Sequence, residues 1–117
     1  MIAEKVRVTD GEVPGHLLVV DDEALIRWAA SSTLSDAGYE VAQAADGAEA
    51  RRQSASKQFD LALLDLRLPD TDGLTLMRDI LTQQPQCRFI VMTAFRTPEL
   101  TANASATGVP VLDKPFS

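Results

Sequence analysis

Apolar residues fall in short runs separated by amphipathic stretches. The densest run is Phe59-Asp60-Leu61-Ala62-Leu63-Leu64-Asp65-Leu66. It barely alternates, which is how a strand covered on both faces reads, and such strands are central in parallel sheets. A second run, His16-Leu17-Leu18-Val19-Val20, ends in Asp21-Asp22-Glu23. A third, Arg88-Phe89-Ile90-Val91-Met92, ends at Thr93-Ala94, and Val109-Pro110-Val111-Leu112 ends at Asp113-Lys114-Pro115. Residues 39–44 alternate instead and read as an edge strand.

Helical spacing fills the gaps. Over residues 24–37, Leu25, Ile26, Ala29, Thr33, Leu34 and Ala37 fall near one stripe, with Trp28 as a packing residue at its edge and Gly38 as the stop. One of the acids 21–23 is expected to cap this helix. Asp46-Gly47 starts a weaker helix over 48–57, with small Ala48, Ser54 and Ala55 and exposed Arg51, Arg52 and Gln53. Leu74, Met77, Ile80 and Leu81 mark a third helix that ends before Pro85. Thr97 as N-cap and Pro98 at the first position open a fourth, running to about Thr107 with Gly108 behind it. It has few large apolar residues and is expected to be marginal. Residues 1–15 read as a loose N-terminal leader, within which Val6-Arg7-Val8 alternates briefly.

Five strands alternating with four helices predict an α/β fold, a doubly wound parallel sheet with right-handed crossovers. The 117 residues suffice for one domain and one core. A net charge of -6 argues against nucleic acid binding by this segment, and clustered carboxylates favour a hard cation. The lone Cys87 excludes an internal disulfide and agrees with a reducing compartment. No apolar run reaches the roughly 18 residues of a membrane span, and no signal-peptide pattern opens the chain, so the expected location is cytoplasmic.

Parallel strands put their carboxyl ends on one rim, where open α/β sheets bind ligands. That rim receives Asp21 and Asp22, then Asp65, Thr93 and Lys114. Clustered carboxylates repel unless a cation joins them, and oxygen-only ligands select Mg²⁺ or a similar ion. A carboxylate oxygen of Asp65 is a nucleophile able to take a phosphoryl group. The Lys114 ammonium would neutralise part of the incoming charge, and the Thr93 hydroxyl would hydrogen-bond a phosphoryl oxygen.

These residues give the chain a resemblance to a known family. Leu18-Val19-Val20-Asp21-Asp22-Glu23, Leu63-Leu64-Asp65-Leu66 with Leu68-Pro69 and Asp72-Gly73, Val91-Met92-Thr93-Ala94 and Lys114-Pro115-Phe116 resemble the receiver domain of two-component response regulators over residues 16–117. The Met-Thr-Ala and Lys-Pro-Phe forms, with Ile26-Arg27-Trp28, are most similar to receivers of the nitrogen-regulation type, which precede an ATPase module and a DNA-binding domain. The resemblance implies a flavodoxin-like strand order of 2-1-3-4-5. It implies Asp65 as phosphoacceptor, Asp21, Asp22, Asp65 and the Arg67 backbone carbonyl as Mg²⁺ ligands, Thr93 as switch hydroxyl and Lys114 as the cation that pairs with the phosphoryl. It also implies a cis Lys114–Pro115 bond and a sensor histidine kinase as donor. The output would be a change in the surface of the fourth helix and fifth strand. Such a module is not an enzyme on a separate substrate; it assists its own phosphorylation and dephosphorylation.

Three departures stand out. Val111 occupies the place of an aromatic that often follows the switch hydroxyl. The region 95–109 is short and polar. The sequence stops at Ser117, where the family's fifth helix begins. The chain therefore reads as a receiver truncated before that helix, with an output domain beyond it, or with its bare sheet face or fourth-helix surface covered by a partner or by a second copy as a homodimer. A Mg²⁺-dependent phosphohydrolase is a rival, but Arg67 stands where such an enzyme places its second Asp. The other rival is a degenerate receiver that binds a partner without phosphorylation.

Overall fold

The computed structural model describes residues 15–114. Five strands, β1 (His16–Val20), β2 (Glu40–Ala44), β3 (Leu61–Asp65), β4 (Arg88–Thr93) and β5 (Val111–Asp113), form one sheet in the order β2-β1-β3-β4-β5. Every pairing is parallel. The crossovers are α1 (Ala24–Asp36), α2 (Gly47–Ser56), α3 (Gly73–Gln83) and α4 (Pro98–Thr107). β3 is buried along its whole length, as its unbroken apolar run requires. The short strand Val6-Arg7-Val8 and the cis Lys114–Pro115 bond lie outside the described residues.

Two apolar layers sandwich the sheet. Leu17, Val19, Leu63, Ile90, Met92 and Leu112 share one side with Ala30 and Leu34 of α1. Leu18, Val20, Ala62 and Leu64 share the other with Ala50 of α2 and Leu76, Met77 and Ile80 of α3. Leu63, Ile90, Met92 and Leu112, on the sheet side shared with α1, are buried. The large apolar side chains left exposed among the described residues are Leu25, Trp28, Leu81 and Phe95, none of them in a strand.

Three helix starts follow their predicted chemistry. Asp46, Asp72 and Thr97 each accept a hydrogen bond from the backbone N–H three residues on. Glu49 reaches back to accept from Ala45 N–H at 2.8 Å. The first helix departs: its N-cap, Glu23, makes no side-chain capping bond. Its buried face is Ala30, Ser31 and Leu34, while Leu25 and Trp28 are exposed. Small residues let α1 lie close to β1 and β2, and that selects a different stripe from the one carrying the largest side chains. In α2 the buried positions are Gly47, Ala50 and Ser54, not Ala48 and Ala55. In α3, Leu81 points away from the stripe formed by Leu76, Met77 and Ile80. α4 buries only Ala104, and a cleft of about 400 Å³ separates it from α3.

Two polar ties fix segments that steer the site. Gln84, 2% exposed, accepts from Phe59 N–H at 2.8 Å and donates to the Ser54 and Lys57 carbonyls at 2.7 and 2.6 Å, which joins α2, α3 and the entry to β3. Asp70, in the loop after β3, accepts from Gly47 and Ala48 N–H at 2.8 and 3.0 Å at the start of α2.

Candidate phosphoryl-transfer and metal site

The sheet register builds the site. Val20 pairs with Leu64, Asp65 with Met92, and Thr93 with Asp113. The next residues along β1 and β5 are Asp21 and Lys114, so groups far apart in sequence arrive at one rim. Backbone bonds hold them there: Asp21 N–H donates to Ala44 O at 3.1 Å and Lys114 N–H to Thr93 O at 2.8 Å. Gly73 is required behind the site, because a Cβ there would lie 2.5 Å from the Asp65 carbonyl oxygen.

Asp65 and Asp21 are buried, and Asp22 is exposed at the mouth. One oxygen from each of these three carboxylates lies within 4.8 Å of the others. Asp65 Oδ1 accepts from Arg67 N–H at 3.1 Å, and its Oδ2 accepts from Lys114 Nζ at 3.2 Å. Asp21 Oδ1 accepts from Glu23 N–H at 2.9 Å, and its Oδ2 from Lys114 Nζ at 3.0 Å. The Asp21 carbonyl accepts from Arg27 Nη1 at 2.6 Å, which braces the turn into α1. A cavity of about 360 Å³ opens over the group, lined by Asp22, Glu23, Asp65, Arg67, Thr93, Ala94, Phe95 and Lys114. Four of the five side chains singled out from sequence, Asp22, Asp65, Thr93 and Lys114, line this cavity, and the fifth, Asp21, is bonded to Lys114 beneath it.

Electrostatics follow from this packing. Burial pushes the Asp65 carboxyl up to about 6; the Arg67 N–H bond opposes this, the Asp21 charge adds to it, and Lys114 opposes it. For Lys114, burial alone would lower the pKa, but its bond to Asp21 and the charges of Asp21 and Asp65 outweigh burial and hold the ammonium well above the usual lysine value. Three converging carboxylates with oxygen donors only are a fitting set for Mg²⁺, and Arg67 lines the same cavity.

Sequence reasoning missed two members, Glu23 and Arg96, and one contact, that of Thr93 with Phe95. Glu23 Oε1 accepts from Lys114 Nζ at 3.2 Å. Arg96 pairs with Asp113 at 2.7 Å and donates to Val111 O at 3.0 Å, tying the loop after β4 to β5. The Thr93 hydroxyl donates to Phe95 O at 2.9 Å and accepts from Phe95 N–H at 3.1 Å. The triplet Asp21-Asp22-Glu23 carried a hint of the first, since capping left acids unassigned. The other two depend on the loop's course.

Fold and site together define a doubly wound sheet whose carboxyl rim holds an acidic pocket with a fixed ammonium. A sequence model of the family described as the response regulator receiver domain matches residues 17–117. The chain belongs to that family. It is 37% identical over 103 residues to the DNA-binding transcriptional regulator NtrC of Escherichia coli (strain K12), which covers 87% of this chain and 22% of NtrC. The chain thus spans about a fifth of that relative's length. Among solved structures it is similar to a response regulator from Burkholderia pseudomallei with a phosphorylated aspartic acid, calcium ion and citrate (28% identity, TM-score 0.80, 88% of this chain and 61% of that one). It is also similar to response regulator TrrA from Thermotoga maritima in complex with Mg²⁺-BeF (30% identity, TM-score 0.77, 88% and 89%). No helix among the described residues is long and apolar enough to cross a membrane.

Proposed function

We propose that the chain is a phosphorylatable receiver that takes a phosphoryl group on Asp65 and relays that event to an output domain. The observation that carries this reading is that Asp65 shares one cavity with Asp22, Thr93 and Lys114, with Asp21 beneath them. In the transfer, an Asp65 carboxylate oxygen forms a bond to phosphorus, and the phosphorus–nitrogen bond of a kinase phosphohistidine breaks. The electron pair stays on the imidazole nitrogen, and the product is an acyl phosphate. Asp21, Asp22 and Asp65 with the Arg67 carbonyl would hold Mg²⁺, which would supply positive charge to the transferring group. Lys114 supplies charge from the protein itself. Asp65 reacts as the carboxylate, so burial, which raises its pKa to about 6, leaves it ionised at neutral pH and silences it in acid.

The hydroxyl of Thr93 links this event to the surface. In the present structure its proton is committed to the Phe95 carbonyl. Donating to a phosphoryl oxygen requires releasing that carbonyl, and with it the loop 94–97 that leads into α4. Arg96 bridges the same loop to β5 in the region where Val111 replaces the family's aromatic. α4, with one buried residue, is the helix most easily displaced. Residues 16–117 are the proposed receiver unit, acting in the cytoplasm on an output domain of the ATPase and DNA-binding kind, as the similarity to NtrC suggests.

The test is intact mass after incubation with acetyl phosphate, with and without Mg²⁺, on the native protein and Asp65→Asn. A Mg²⁺-dependent gain of one phosphoryl that disappears in the variant is the expected result. Gain that persists in Asp65→Asn moves the acceptor elsewhere, and no gain in the native protein favours the phosphorylation-independent binding module.

A further inference from the structure

Of the three acids that follow β1, the one that neither the metal cluster nor a capping bond uses is Glu23. We infer that Glu23 is a positioning residue: its carboxylate tethers the Lys114 ammonium at the mouth of the pocket and keeps it in place when Asp21 and Asp65 are recruited to other partners. The inference rests on the proposed receiver reading for its consequences, but not for its geometry.

An ammonium has three donors. Those of Lys114 meet three carboxylates, Asp21 at 3.0 Å, Glu23 at 3.2 Å and Asp65 at 3.2 Å. Asp21 and Asp65 belong to the cluster whose oxygens converge within 4.8 Å; Glu23 does not. A cation in that cluster draws Asp21 and Asp65 toward itself, and a phosphoryl on Asp65 removes that carboxylate's charge. Glu23 is then the anion Lys114 retains.

The start of α1 is an independent sign. Glu23 sits at the N-cap with extended backbone, yet it makes no capping bond. The caps of α2, α3 and α4 all bond the backbone. The one N-cap side chain that forgoes its helix is the one turned to Lys114. It is also 61% exposed, whereas the lysine side chain is 4% exposed, so the tether reaches in from the solvent side. The Lys114 backbone is already fixed by its bond to Thr93 O. What Glu23 adds is control of the flexible end. Without it the ammonium has one carboxylate partner fewer, and its end is freer to leave the pocket.

Glu23→Ser tests this, because serine restores a cap while removing the tether. Three readouts separate the causes. First, acylation of Lys114 in metal-free protein, read by peptide mass against Lys57 as internal reference, rises several-fold in Glu23→Ser; an unchanged ratio overturns the tether. Second, phosphoryl gain from acetyl phosphate falls about fivefold, the size of one hydrogen bond to a solvent-exposed partner. The same substitution has no effect in a Lys114→Ala background; an equal fractional loss in both backgrounds overturns the inference, because Glu23 then acts through its charge alone. Third, thermal melting shows Glu23→Ser at least as stable as the native protein, which excludes misfolding as the cause. A native protein that takes no phosphoryl, while Lys114 acylation still responds to Glu23→Ser, sinks the Asp65 reading and leaves the tether standing.

Discussion

Removing the negative charge of Asp65 should stabilise the metal-free protein. Burial raises this carboxyl to about 6 from 3.8, and the unfolded chain has no such burial. Between these values the folded state holds a proton that the unfolded state releases. Stability therefore falls as pH rises through that window and stays low above it. The span is worth about 3 kcal/mol at neutral pH, as a cost of keeping Asp65 ionised in place. Asp65→Asn removes that cost and keeps an oxygen for Arg67 N–H. The attraction of Lys114 is already counted in the raised value, so the offset is the imperfect fit of an amide NH2 beside the Lys114 ammonium, about 1–2 kcal/mol. The net gain is about 1–2 kcal/mol, or about 5–10 °C in melting temperature for a domain of this size. The assay is thermal melting by circular dichroism with chelator present, from pH 4.5 to 8. The variant melts higher at pH 8, and the gap closes toward pH 4.5. Mg²⁺ then narrows or reverses the gap, because binding to native carboxylates stabilises by mass action and the variant has lost one of them. An Asn variant that is less stable than the native protein at pH 8 without metal, or a gap indifferent to pH, refutes the reasoning.

Three further substitutions probe the frame around the site. Gln84→Leu strips partners from Phe59 N–H and from the Ser54 and Lys57 carbonyls in a buried position, and should cost about 3 kcal/mol in urea unfolding with an unchanged m-value. Gly73→Ala drives a methyl against the Asp65 carbonyl and should lower both stability, by about 1–3 kcal/mol, and Mg²⁺ affinity measured by calorimetry. Asp70→Ala frees two N–H groups at the start of α2 and should lower the melting temperature at pH 7. Hydrogen bonding from Gly47 holds the Asp70 pKa below the usual carboxylate value, so its stabilisation is present above that value and the difference from the variant closes as pH falls through it.

Strand positions were legible because each apolar run stops at a polar residue, and parallel topology then fixes which ends meet. Asp21, Asp65, Thr93 and Lys114 needed no more than that. The buried face of α1 was not legible in the same way. Counting large apolar residues selects Leu25, whereas close packing on the sheet selects Ala30, Ser31 and Leu34. The choice depends on how near the helix axis lies to β1 and β2, which composition does not encode. Gln84 is opaque for a related reason. At a helix end next to Pro85 it reads as solvated, and its burial follows from three backbone groups that the fold brings together. Glu23 and Arg96 become readable only once the register is known, because each acts on a partner reached across the rim.

The geometry also bounds how strongly the proposed switch can act through Thr93. Exchanging the neutral bond to Phe95 for one to a charged phosphoryl oxygen trades about 1 kcal/mol for about 2–3 kcal/mol. The surplus, about 1–2 kcal/mol, moves a two-state equilibrium by about tenfold. Turning a population from almost wholly one state to almost wholly the other needs about 5.5 kcal/mol of differential binding. Thr93 alone therefore biases α4 without committing it. The remainder has to come from the other group that changes partner, Lys114, which holds three carboxylates before the phosphoryl arrives. Its redistribution is the larger lever, because it moves a full charge in a buried position. Loose packing of α4 serves the same end: a helix with one buried residue resists displacement weakly, which lowers what Thr93 and Lys114 together must supply.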